Sequence, residues 1–133
     1  MNAAVGDRRG SGGPYEDRWG YSRAVRVGPL ALTAGCTAVV DGHVTGIGDA
    51  GAQTAVALRV ALEALAGVGV AAGQVIACRM FVTDLAQADA VGRAHAAVFG
   101  EIRPVASMIG VAALADPDML VEVELTAWAE EES

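Results

Sequence analysis

The sequence contains no lysine, because all nine of its basic residues are arginines. Schiff-base chemistry with a carbonyl substrate or with pyridoxal phosphate needs a lysine amine, so this sequence excludes it. Sixteen acidic residues outnumber the basic ones and give a formal net charge of −7. That charge repels phosphate backbones and anionic membranes, so we expect neither a nucleic acid nor a membrane as partner.

Cysteines and long apolar runs are also scarce. Two unspaced cysteines are typical of a reducing compartment rather than of a disulfide framework. No apolar run approaches the roughly 20 residues that span a bilayer, and the first residues lack an export segment. We therefore expect a cytoplasmic protein. His43 and His95 have no third ligand at metal-binding spacing, and no glycine-rich phosphate loop is present, so we expect no metal and no cofactor.

The length and local composition indicate one domain. A chain of 133 residues can build a single core but not two. The glycine-rich stretch 10–14 follows a charged segment without apolar periodicity. We therefore expect a disordered tail over residues 1–15 and one domain over residues 16–133.

The hydrophobic pattern predicts strands first and then an alternation of helices and strands. In chain order, the predicted elements are strands 21–27 and 30–34, a hairpin within 37–44, a helix over 49–67, a strand over 74–83, a helix over 84–100, and strands 104–111 and 119–129. This order predicts an α+β sandwich of two layers, with a mixed six-stranded sheet and two helices on one face. Oligomerisation would cover the other face.

The last predicted strand carries the most informative chemistry. In Val121-Glu122-Val123-Glu124-Leu125 the alternation places both carboxylates on the face away from the helices. Carboxylates at such a position must be paired, hydrated or shifted in pKa. A salt-bridged surface and a functional glutamate both remain open, and Arg79 on a neighbouring predicted strand is a candidate partner.

Several strings, in this order, resemble the YjgF/RidA family, also known as endoribonuclease L-PSP. The resemblance covers residues 21–129. The strings are Tyr21-Ser22, Leu32-Thr33-Ala34-Gly35, Asp49 with Gln53-Thr54, Val75, Phe81-Val82-Thr83-Asp84, Phe99, Pro104-Val105-Ala106-Ser107, and Val121-Glu122-Val123-Glu124 with Ala127. The resemblance implies a chorismate mutase-like fold, a homotrimer with a central β-barrel, and a small-molecule cleft at each subunit interface. It also implies hydrolysis of enamines and imines such as 2-aminoacrylate.

The resemblance further implies a site. In the family's deaminases an arginine of a P-A-R-S motif holds the substrate carboxylate, and the first glutamate of the last strand orients the attacking water. Here Glu122 is in the glutamate position and is the implied catalytic residue. The implied ligand-binding residues are Tyr21, Ala34, Gly35, Cys36, Ala106, Ser107 and Met108.

Three of these positions depart from the family pattern. Ala106 replaces the arginine, while Ala34 and Cys36 replace a small hydroxyl residue and a glutamine. A carboxylate clamp would therefore have to come from another arginine. The candidates are Arg23, Arg79, Arg93 and Arg103.

The functional hypothesis is a divergent Rid-type protein that binds a small carbonyl, imine or enamine and hydrolyses it with Glu122 orienting water. One alternative is a non-catalytic trimer that binds a metabolite. Another is a biosynthetic enzyme with a repurposed cleft, in which Ala34 and Ala106 leave space for a larger intermediate. The acidic charge disfavours the ribonuclease activity that the older family name suggests.

Overall fold

The computed structural model describes residues 3–131. The strands are β1 Asp7–Arg9, β2 Ala24–Val27, β3 Leu30–Thr33, β4 Val39–Val40, β5 His43–Val44, β6 Val75–Val82, β7 Val105–Gly110 and β8 Val121–Trp128. The α-helices are α1 Pro14–Trp19, α2 Ala50–Ala66 and α3 Ala88–Phe99. Short 3₁₀ turns precede β6 and α3. Within the described residues, no helix has the length and apolar character needed to cross a membrane.

The main sheet has six strands in the order β1-β2-β3-β8-β6-β7. The β6 and β7 strands run parallel, while the other neighbouring pairs are antiparallel. The long helices α2 and α3 pack against each other, and α2 also contacts β8 and β3. The predicted α+β architecture, with a mixed six-stranded sheet and two long helices packed on it, is confirmed.

The strand β8 shows how the sequence pattern produces the core. Its alternate residues Val121, Val123 and Leu125 are almost fully buried, whereas Glu122 and Glu124 on the opposite face are only half-buried. Small residues of α2 allow that helix to approach the sheet closely. The residues of α2 that are completely buried include Ala57, Leu58, Ala61 and Leu65.

Local polar contacts fix the start of α2 and the loop that precedes β8. The Asp49 side chain accepts a hydrogen bond from the backbone N–H of Ala52 and so caps the helix. The buried Gln53 side chain donates to the Asp118 carbonyl and accepts from the Leu120 N–H, both at 2.8 Å. Gln53 therefore fixes the loop that precedes β8.

The N-terminal segment departs from the disordered tail expected over residues 1–15. Its residues 7–9 form β1, which pairs with β2, and α1 begins at Pro14. The buried carboxylate of Glu16 accepts hydrogen bonds from both the N–H and the hydroxyl of Ser11. Composition could not show this order, because strand pairing and these hydrogen bonds depend on partners distant in space rather than on apolar periodicity.

Candidate functional site

A cavity of about 500 Å³ lies between α1, the β4–β5 hairpin and the loop before β8. Four residues that matter for its chemistry line it together: Tyr21, Arg23, Gly35 and Glu122. The family resemblance implied Tyr21, Gly35 and Glu122 as site residues, and Arg23 was one of the candidate arginines for the carboxylate clamp. The arrangement gives one half-buried carboxyl group a solvent-accessible space large enough for a small organic molecule.

Glu122 lies directly against the backbone of Gly35. Two reciprocal backbone hydrogen bonds, of 2.7 and 2.8 Å, join Cys36 to Val123. They bring Gly35, which precedes Cys36, close to Glu122, which precedes Val123. A Cβ atom on Gly35 would lie 2.5 Å from Cδ of Glu122, which is too close for any side chain. Glycine is therefore required at this position if Glu122 is to keep its place.

The environment of Glu122 favours its protonated form. Burial raises the pKa of this carboxyl group above its usual value, and the negative charge of Glu124 raises it further. The Arg23 guanidinium acts in the opposite direction but does not cancel the shift. A carboxylate with a raised pKa is a better proton acceptor near neutral pH than an exposed glutamate.

Arg23 is held by several contacts on the cavity wall. Its Nη1 donates to the Gly35 carbonyl, its Nε donates to Glu16 at 3.2 Å, and its Nη2 lies 3.4 Å from the Tyr21 hydroxyl. The guanidinium also lies 5.6 Å from the centroid of the Tyr21 ring. Arg23 therefore supports the backbone beside Glu122, and its charge is compensated by a neighbouring carboxylate.

The Glu16 carboxylate, which compensates the charge of Arg23, accepts hydrogen bonds from both Ser11 and Arg23. Burial tends to raise its pKa, but the hydrogen bonds from Ser11 and the charge of Arg23 outweigh that effect and lower it. Glu16 is thus ionised when it faces Arg23. The ion pair of Glu16 and Arg23 links α1 to the start of β2.

The predicted residues of β7 lie elsewhere in the single chain. Ala106 and Ser107 line a separate hollow of about 320 Å³, together with Arg79 and Glu124. Arg79 and Glu124 form an ion pair across β6 and β8, as the sequence suggested. Met108 is half-buried and packs against the core. The chain alone therefore does not bring the predicted β7 residues into the cavity of Glu122.

The remaining predicted residues form the wall behind Gly35. Ala34 is half-buried and Cys36 is buried, with the Cys36 thiol 3.4 Å from the Ala34 carbonyl oxygen that accepts from it. Burial raises the pKa of Cys36, although Arg23 partly opposes this, so the thiol is not activated as a nucleophile. Cys78 lies in the hydrophobic core, where burial raises its pKa to about 12.

Sequence reasoning missed the contribution of α1 and of the loop before β8. Tyr15 and Trp19 line the cavity and stack on each other, with ring centroids 4.5 Å apart. Asp116 and Asp118, in the loop before β8, also line it. The spacing of Tyr15 and Trp19, four residues apart in a chain poor in aromatics, was the available signal. Residues 3–131 contain no cluster of three or more side chains suited to hold a metal ion.

Comparisons with known proteins agree with this architecture. The family model described as Endoribonuclease L-PSP matches residues 16–129. The uncharacterised protein SCO2049 of Streptomyces coelicolor is 39% identical over 118 residues, which cover 89% of this chain and 88% of that protein. The crystal structure of Rv2704 from Mycobacterium tuberculosis, a member of the YjgF/YER057c/UK114 family, is 43% identical with a TM-score of 0.84; the match covers 92% of this chain and 98% of Rv2704.

Two structures from Escherichia coli are also similar. The YjgF gene product is 25% identical with a TM-score of 0.77, covering 96% of this chain and 98% of that one. TdcF with bound serine is 23% identical with a TM-score of 0.78, covering 96% and 100%. Fold and matches together define an α+β protein of the endoribonuclease L-PSP class. The chain belongs to the YjgF/RidA family.

Proposed function

We propose that this protein binds a small carbonyl, imine or enamine in clefts completed by neighbouring subunits of a homotrimer, and hydrolyses it with Glu122 orienting the water. The observation that carries this proposal is the half-buried Glu122 carboxyl group, held against Gly35 at the edge of a 500 Å³ cavity and raised in pKa. Family membership supports it. The serine bound to TdcF supports a small polar molecule as ligand.

The chemistry follows from the position of one proton acceptor. The Glu122 carboxylate accepts a proton from a water molecule as the water oxygen forms a bond to the imine carbon. The protonated Glu122 returns this proton to the imine nitrogen, which gives a carbinolamine. Glu122 then accepts the hydroxyl proton of the carbinolamine and the amino nitrogen is protonated, so that the C–N bond breaks and a carbonyl compound and ammonia are released. The fixed Gly35 backbone and the paired Arg23 keep the carboxylate in place during these steps.

The test of this function is an imine panel. Short-lived imines generated by an amino-acid oxidase are offered to the protein, and the rate of ammonia release is compared with the rate without protein. We expect acceleration for at least one imine class, and it should require Glu122. A protein that binds these compounds without accelerating their hydrolysis would instead fit the non-catalytic alternative, which the alanine at position 106 favours.

We expect little deamination of small 2-imino acids such as 2-aminoacrylate. Ala106 offers no charge for the substrate carboxylate, and the arginines nearest to the two hollows are paired, Arg23 with Glu16 and Arg79 with Glu124. Loss of one charge-assisted hydrogen bond of 1.5–3 kcal/mol corresponds to a loss of about 10- to 100-fold. A coupled assay of 2-aminoacrylate measures it.

Introducing an arginine at position 106 would supply the missing charge for the substrate carboxylate and so tests this prediction. The variant Ala106→Arg should raise turnover of 2-aminoacrylate, whereas Glu101→Arg, at an exposed position in the turn before β7, should not. Turnover by the wild-type chain equal to that of Ala106→Arg would contradict the prediction. In that case Arg23 and Arg79 would be the first arginines to replace.

We also expect a homotrimer, because the sheet face opposite the helices carries exposed apolar side chains. These include Val27, Leu30, Leu32, Val105, Ile109 and Trp128. A face of this kind is typical of a subunit interface. Multi-angle light scattering should give three times the chain mass of 13.4 kDa.

A charge on this face should disrupt the assembly. Leu32→Asp is expected to lower the mass to that of one chain, because it buries an unpaired carboxylate in the interface. Ile47→Asp is the control, since Ile47 is exposed and lies in the loop before α2 rather than in the sheet. A wild-type monomer at micromolar concentration would remove the proposed inter-subunit cleft.

A further inference from the structure

The cavity beside Glu122 concentrates the aromatic residues of the chain. The sequence has two tryptophans, two tyrosines and two phenylalanines, and both tyrosines and one tryptophan line this cavity. Trp19 is 60% exposed and Tyr21 is 36% exposed, so both present ring surface to a ligand. Exposed aromatic faces around a cavity bind planar groups by stacking and cations by their negative ring faces.

The charges of the cavity are predominantly negative. Asp116, Asp118 and Glu122 line it, and among the described lining residues only Arg23 and His43 can carry positive charge. The charge of Arg23 is compensated by the buried Glu16 at 3.2 Å. An anionic ligand would therefore meet three carboxyl groups and an arginine that is already paired.

Both walls that carry these groups are anchored to the domain. Glu16 joins α1 to Ser11 and Arg23, which keeps Tyr15 and Trp19 beside the cavity. The loop before β8 is held by Gln53 through the backbone of Asp118 and Leu120. The ring faces and the carboxylates of the cavity are thus preformed, which lowers the entropy cost of binding.

We propose that the cleft selects ligands in which a planar aromatic or conjugated group bears an ammonium or iminium cation, and that it rejects free carboxylates. This inference rests on the proposed function for the location of the site and names the class of its substrate. A protonated imine conjugated to an aromatic ring meets both requirements, since its cation faces the carboxylates while its plane stacks on the rings.

Isothermal titration of the full-length chain tests this class with defined probes. Benzylammonium should bind at least 10-fold more tightly than benzoate, which has a similar ring and the opposite charge. Methylammonium, which has the charge without the ring, should bind more weakly than benzylammonium. Benzoate binding as tightly as benzylammonium would overturn the inference, as would the absence of benzylammonium binding at millimolar concentration.

Variants locate the binding. Trp19→Leu and the double variant Asp116→Asn/Asp118→Asn should each weaken benzylammonium binding several-fold. Ile47→Ala is the control, because Ile47 is exposed outside the sheet and does not line the cavity. An equal loss in Ile47→Ala would place the ligand elsewhere and overturn the inference.

The outcome also separates this inference from the proposed function. Benzoate binding combined with hydrolysis of imines that depends on Glu122 would overturn the ligand class and leave the function standing. Benzylammonium binding that depends on Trp19, without hydrolysis of any imine, would support the ligand class and contradict the catalytic function.

Discussion

Replacement of Glu122 by glutamine is expected to lower the rate of imine hydrolysis by about 10²–10⁴, the usual contribution of a general base. The amide preserves the volume and hydrogen-bonding reach of the side chain but cannot accept the proton of the attacking water. Because burial and Glu124 raise the pKa of Glu122, the wild-type rate should fall as the pH drops through that raised pKa. The glutamine variant should lose this acidic limb. Steady-state kinetics across pH measure both effects.

The control for this variant is Glu124→Gln. Glu124 lies on the same face of β8 but pairs with Arg79, away from the cavity of Glu122. The Glu124→Gln substitution should change the rate far less than Glu122→Gln does. It should also lower the pKa of Glu122, because one negative neighbour is removed. If Glu122→Gln assembled poorly, or if hydrolysis continued unimpaired, Glu122 would be a structural residue and the protein a binding protein.

Replacement of Gly35 by alanine is expected to lower the same rate by about 10²-fold, since a displacement of about 1 Å can cost this much in an oriented reaction. The new Cβ atom would lie 2.5 Å from Cδ of Glu122, so the carboxyl group must move. The group that moves is the end of a flexible side chain, and the fold should therefore survive. Kinetics and a thermal melt of the variant measure the two consequences separately.

Gly73→Ala is the matched control for Gly35→Ala. A Cβ on Gly73 would meet no atom within 4 Å, and its backbone does not have a positive φ. This variant should retain the wild-type rate. A rate for Gly35→Ala equal to that of the control would mean that the exact place of the Glu122 carboxyl group does not limit hydrolysis.

The parts of the fold that the sequence predicted depend on local patterns. Alternation in β8 identified which side chains of that strand are buried, and the hydrophobic pattern predicted a helix over 49–67 where α2 runs from Ala50 to Ala66. Strict alternation along β6 would place Ile76 on the same face as the buried Cys78 and Met80, but Ile76 is 48% exposed. The register shifts between Val75 and Ala77 where β6 pairs with β8, and a bulge of this kind reverses the alternation. A bulge depends on the partner strand, so the pattern of β6 alone cannot show it.

The candidate site was predictable only in part, for a related reason. Tyr21, Gly35 and Glu122 were named from the sequence and line one cavity. Tyr15 and Trp19 were missed because they belong to a short helix without core-facing periodicity. Its position is determined by Glu16, whose partners Ser11 and Arg23 lie on either side of that helix in sequence. Hydrogen-bonding partners of this kind cannot be deduced from composition.

The N-terminal wall of the cavity has a consequence for how this scaffold can diversify. Gly13, Pro14 and Tyr15 line the cavity, yet all three precede residue 16, where the match to the family begins. They contribute little to the hydrophobic core, which is formed by α2, α3 and the sheet. Substitutions in this segment can therefore alter the shape and polarity of the cavity at small cost to folding stability. One conserved architecture can in this way acquire new ligand preferences through a short peripheral segment, while the glutamate and its supporting glycine stay unchanged.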